Sequence, residues 1–149
     1  MKKSLIALAA LVLVGTAHAA DWQTMSRGTI GVLSNDKKAS LELTTVANEQ
    51  NPNDTGLAFY YYPANQPAKC DVTKDVYKQF AVNGKLINFK KFCFPEDKRP
   101  VAYTPTTAED ASALVSQLVS VDTGNKVILD SETFGTTQFA EQVDILLAD

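Results

Sequence analysis

At 149 residues, with 45% apolar, 9% aromatic and 21% charged side chains, the chain is long enough for one buried core and too short for two. Seven Gly and six Pro exclude collagen-like and low-complexity sequence, and two Cys exclude a disulfide-dense miniprotein. The formal charge of −3 excludes a chain that grips nucleic acid through bulk positive charge.

Residues 1–19 read as a cleaved secretory signal. Lys2 and Lys3 give a positive start, Leu5 to Val14 an apolar run, and Ala17-His18-Ala19 a small-x-small cleavage pattern. The run is too short to span a bilayer, which takes about 20 apolar residues. No later stretch is apolar enough to do so, and stable membrane insertion is not expected. Cleavage after Ala19 leaves residues 20–149 as a single globular domain, expected in a bacterial periplasm or outside the cell. It also removes His18, the only histidine, and leaves 12 basic against 17 acidic side chains. The balance is uneven: residues 69–99 carry eight basic and four acidic groups, and residues 100–149 one basic and eight acidic. Two solvated faces of one domain, or steering of a partner, would each use such an asymmetry.

Residues 28–34 and 39–46 read as strands joined by the turn Asn35-Asp36-Lys37-Lys38. Leu41 and Leu43 alternate with Ser40, Glu42 and Thr44, as a half-buried strand requires. Residues 48–55 are polar around Pro52 and read as a surface loop, where Asn51, Asn53 and Asp54 offer oxygen atoms but do not match a calcium-loop pattern. Residues 57–62 read as a strand ended by Pro63, and 63–68 as a loop. Asn83-Gly84 is the sharpest local signal, because it supplies the two positive φ angles of a type I′ hairpin between 76–82 and 85–94. That turn pairs Val82 with Lys85, Phe80 with Ile87 and Lys78 with Phe89. A short strand follows at 101–103.

The period then changes. Ala111, Leu114, Val115, Leu118 and Val119 recur at helical spacing, and Thr106 with Glu109 reads as a capping box, so a helix is expected over 107–119. Residues 126–130 read as a strand. A second helix is expected from Gly135-Thr136-Thr137 onward, lined by Phe139, Val143, Leu146 and Leu147. Strands followed by helices predict an α+β fold: an antiparallel sheet of about six to seven strands with two C-terminal helices packed on it. A β-sandwich with terminal helices is the alternative. In an oxidising compartment Cys70 and Cys93 are expected to pair, closing a loop worth roughly 3 kcal/mol by chain entropy.

The chemistry is bounded first by what is missing. Without a mature histidine, Ser-His-Asp and Cys-His catalytic units cannot form. The sequence has no G-x-S-x-G elbow, phosphate-binding loop or H-E-x-x-H, so neither catalysis nor a cofactor or metal is expected. Carboxylate chemistry remains, with Glu109, Asp110, Asp130 and Glu132 as candidates. Helix-start and strand-end positions account for the same four residues.

Ten of the 13 aromatic residues lie between 59 and 103. On a strand, Phe59 and Tyr61 point one way and Tyr60 and Tyr62 the other. One pair is therefore expected to face outward beside the basic segment. Tyr60, Tyr62, Lys90 and Lys91 are the expected binding contacts, since exposed tyrosine beside lysine suits protein and sugar surfaces. Cross-strand packing is the structural role open to the same tyrosines.

In layout, Trp22, the Asn83-Gly84 hairpin with Cys93, and residues 134–147 resemble the invasion-associated locus B group of periplasmic proteins. That group usually has more cysteines, and no site residue is carried over from it. The expectation is an exported binding or accessory protein, of inhibitor or immunity type, which occludes the surface of an envelope enzyme or toxin, or binds a glycan. The alternative is a small carboxylate-dependent hydrolase of envelope polysaccharide.

Overall fold

A computed structural model describes residues 21–48, 50–51, 53–120 and 124–148. The expected leader lies outside the described residues. The strands are β1 (Gln23–Ser26), β2 (Thr29–Leu33), β3 (Ser40–Ala47), β4 (Thr55–Tyr62), β5 (Tyr77–Val82), β6 (Lys85–Cys93), β7 (Val101–Pro105), β8 (Lys126–Leu129) and β9 (Glu132–Gly135). Two helices, α1 (Ala108–Val119) and α2 (Phe139–Ala148), complete the described elements.

The strands form one antiparallel sheet in the order β1-β2-β3-β4-β7-β6-β5-β8-β9. The α+β class is as the sequence predicts. Nine strands form where six or seven were expected, and the sandwich alternative falls because the sheet is continuous. The two unforeseen strands are the short ones at its ends. Gln23–Ser26 is exposed at every position and carries no alternation to read. Glu132–Gly135 takes up Gly135, which was expected to begin a helix; the helix begins at Phe139 instead.

The sheet rolls until its far end meets its beginning. Ser34 bridges to Phe134, and the Asn35 N–H donates to the Thr133 carbonyl at 3.0 Å. Trp22 closes the seam from the other side: its indole N–H donates to the Gly135 carbonyl at 3.0 Å and its backbone N–H to Thr137 at 3.1 Å. Its ring meets Phe139 edge-on, with centroids 4.7 Å apart.

Period-2 patterning puts one apolar set inside this shell. Ile30, Val32, Leu41, Leu43, Phe59, Tyr61, Phe80, Val82, Ile87, Phe89, Leu129 and Phe134 form one buried cluster. Leu114 and Leu118 of α1 and Phe139 and Leu146 of α2 join it. Each such fully buried side chain contributes about 1.5–3 kcal/mol. Val119 and Leu147, expected on the buried helix faces, are instead 55% and 61% exposed. The N-cap of α1 is Thr107, one residue later than read. Its hydroxyl accepts from Asp110 N–H at 3.1 Å and donates to the Asp110 carboxylate at 2.8 Å.

The Asn83-Gly84 hairpin forms in the expected register, with φ of 49° and 82° at its turn. Cys70 and Cys93 are joined, tying the chain after β4 to the end of β6. Among the described residues no helix is long and apolar enough to cross a membrane.

Candidate functional site

The candidate site is built by the inner face of the shell where its strands run out, on the side away from the helices. The register sets Leu41, Tyr61, Tyr103 and Lys91 in one cross-strand row. Lys78 and Phe80 extend the same face on β5. The β8–β9 turn adds Asp130 and Glu132. All of these except the buried Leu41 line a cleft of about 380 Å³, bounded on one side by Pro63, Ala64, Asn65 and Pro67. That size lies within the usual range of small-ligand pockets.

The walls of this mouth are held from several directions. Gln66 pins the 63–67 loop to β7: its amide donates to the Val101 carbonyl at 2.8 Å and accepts from the Val101 N–H at 2.9 Å. Three residues beyond the loop, the disulfide fixes the chain to β6. The Tyr61 hydroxyl donates to Asp130 at 3.3 Å. Phe80 and Tyr103 meet edge-on, with centroids 5.0 Å apart, and the Lys78 ammonium lies 5.6 and 5.8 Å from those two rings. Such a position favours a cation electrostatically.

The β8–β9 turn is unusual in its residues. Asp130 and Ser131 have φ of 50° and 68°. This is the two-residue hairpin geometry that Asn-Gly satisfies at residues 83 and 84, built here without glycine. Left-handed backbone costs a residue with a Cβ about 1–2 kcal/mol, Asp less than Ser.

Glu132 of the mouth and Asp36 beside it behave in opposite ways. Burial, then the neighbouring Asp36 carboxylate, pushes the Glu132 carboxyl above its ordinary range. Asp36 is held below its ordinary range by the Ser34 hydroxyl, which donates to it at 2.6 Å, and by the Lys38 N–H at 3.1 Å. Burial first, then Asp130 and Glu132, pushes the Tyr61 hydroxyl upward, so it remains a hydrogen-bond donor.

The four expected contacts do not assemble into one site. Tyr60, Tyr62 and Lys90 lie on the outer face, and Lys91 on the inner. Neither tyrosine stands free. Tyr62 is 7% exposed and lies under Arg99, whose guanidinium carbon is 3.9 Å from the ring centroid. Arg99 donates onward to Ser40 at 2.7 Å and to Glu42 at 2.9 Å. Tyr60 is half-buried against Phe92 and Phe94. Burial raises both hydroxyls, that of Tyr62 to about 12. Lys90 pairs with Asp75 at 3.4 Å. The outward pair is thus covered by the 94–99 segment.

Of the carboxylate candidates, Asp130 and Glu132 line the cleft, while Glu109 and Asp110 occupy the first turn of α1. Asn51 and Asp54 close the 48–54 turn through backbone bonds, and no cluster of three or more metal-ligating side chains occurs among the described residues. Lys78, Phe80, Tyr61 and Tyr103 are functional candidates that the sequence reading missed. Strand parity from the Asn83-Gly84 turn already put Lys78 on the apolar face, where a lysine is an anomaly.

Compared with known proteins, the chain matches no family model, no curated protein and no solved structure. The resemblance of layout noted above rests on its own residues alone.

Proposed function

We propose that this is an exported binding or accessory protein that acts through the mouth of its rolled sheet. The observation that carries the reading is the cleft itself. Lys78, Lys91, Asp130 and Glu132 converge beside aromatic walls at the end of a disulfide-tied shell. Charged groups of both signs gathered beside aromatic rings in a concavity of this size suit a polar ligand with an apolar part. The ten-residue apolar run after Lys2 and Lys3 supports export, and the disulfide suits an oxidising compartment. An inhibitor of an envelope enzyme or toxin would use the same mouth, by enclosing a protruding segment of its partner.

The test is native mass spectrometry of the oxidised protein after exposure to periplasmic extract and culture supernatant. A bound species should be retained by an outer-face variant, Tyr77→Ser with Leu86→Ser, and lost by Lys78→Gln with Lys91→Gln. The reverse pattern would move the site to the outer face.

One observation favours a second reading, a carboxylate-dependent hydrolase of envelope polysaccharide. Glu132 holds its proton more tightly than an ordinary glutamate, while neighbouring Asp36 releases its own more readily. Divergent carboxyls are what acid and base roles need. Release of reducing ends from purified cell wall, abolished by Glu132→Gln, would support it; a wild-type protein without turnover would remove it.

A further inference from the structure

The mouth carries both signs of charge without pairing them. Among the described residues neither Lys78 nor Lys91 has a carboxylate within 4.0 Å, although Asp130 and Glu132 line the same cleft and Lys91 acts on Asp71 from farther off. The two lysines are also diagonal neighbours on β5 and β6: Lys78 stands opposite Phe89, two residues from Lys91. Diagonal cross-strand positions lie about 7–8 Å apart, within reach for two lysine side chains to meet one anion between them. Phe80 and Tyr103 supply an apolar surface next to Lys78.

Each simpler ligand leaves part of this arrangement opposed. A polyanion meets Asp130 and Glu132, and a polycation meets the lysines. A neutral sugar offers the two lysines no anion and the two carboxylates no cation.

We propose that the mouth binds a small zwitterion, an amino acid or short peptide with both termini free. The inference rests on the reading of the mouth as the binding site. The ligand's carboxylate lies between Lys78 and Lys91, its ammonium faces Asp130 and Glu132, and an apolar side chain covers Phe80 and Tyr103. Hydrogen bonds between charged partners are the strong ones, so the two ends rather than the middle carry the affinity.

The test is isothermal titration calorimetry of the oxidised protein with glycyl-phenylalanine and with its N-acetylated, C-amidated and doubly blocked forms. The free dipeptide should bind, and each block should weaken it by about tenfold, the effect of roughly 1.4 kcal/mol lost at one end. In Lys78→Gln the amide block should lose most of its effect while the acetyl block keeps it. Equal binding of the free and doubly blocked forms would overturn the assignment. So would binding by none of the four while the Lys78→Gln, Lys91→Gln variant still loses a species captured from extract; the mouth would then stand and its ligand would not be zwitterionic. If that species is also retained, the mouth reading fails with it.

Discussion

At the residue scale the mouth holds both its strain and its titration. Ser131 occupies left-handed backbone with a Cβ it has no steric room to prefer. Ser131→Gly is expected to stabilise the protein by about 0.5–1 kcal/mol, the relieved strain less the entropy of an added glycine. Urea unfolding checks it, and a loss of stability would show that the serine side chain is needed in place.

Glu132 gives the pH dependence its sign. Its raised pKa means the folded protein binds that proton more tightly than the unfolded chain. Its contribution is therefore present at acidic pH and is lost as pH rises through the raised value. Asp36, with a lowered pKa, works the other way: its contribution is present above the unfolded value and is lost as pH falls through the folded one. Glu132→Gln should raise the melting temperature at neutral pH, and the gain should shrink on acidification toward the ordinary glutamate range. A gain independent of pH would contradict the raised pKa.

At the element scale, the hairpin at residues 83 and 84 was legible because two adjacent residues specify its turn and the turn then specifies the register. The turn also does tertiary work that was not legible. Asn83 accepts from the Ile128 N–H at 2.8 Å and donates its own N–H to the Ile128 carbonyl at 2.9 Å, so it joins the hairpin to β8. Asn83→Ala loses the tolerance for positive φ and leaves the Ile128 N–H without its side-chain acceptor. A destabilisation of about 1–3 kcal/mol is expected in urea unfolding. A variant that unfolds like the wild type would show that the junction is slack.

The elements that escaped the sequence have the same physical explanation. Gln23–Ser26 and Glu132–Gly135 are four-residue strands, set by the partners they meet and not by their own patterning. The cap of α1 moved one residue because Thr107 has an acidic residue three positions on, as Thr106 does. The two threonines compete on equal local terms.

At the scale of the molecule, the α+β class and the single apolar face were written in the alternation of the strands. The closure was not. It depends on Ser34 meeting Phe134 and Trp22 meeting Gly135, contacts a hundred or more positions apart in the chain. The site follows from the closure, which is why its residues were only half visible. Asp130 and Glu132 were candidates for their charge, and Lys91 for its neighbours. Tyr103 gained meaning through its pairing with Tyr61, and Lys78, an anomaly on the apolar face, through its place against the Phe80 and Tyr103 rings. The outer tyrosines misled for a matching reason: Arg99 crosses back over Tyr62 from the segment that follows Pro95, 37 positions on in the chain.

The central claim is that the mouth, and not the outer aromatic face, meets the ligand. The most direct measurement is an amide nitrogen–proton correlation spectrum of labelled protein, titrated with the low-molecular-weight fraction of periplasmic extract. The account predicts shifts gathered at residues 61–67, 78–80, 91, 101–103 and 130–132. Shifts gathered instead at Tyr77, Leu86 and Phe92, or a spectrum that does not change, would contradict it.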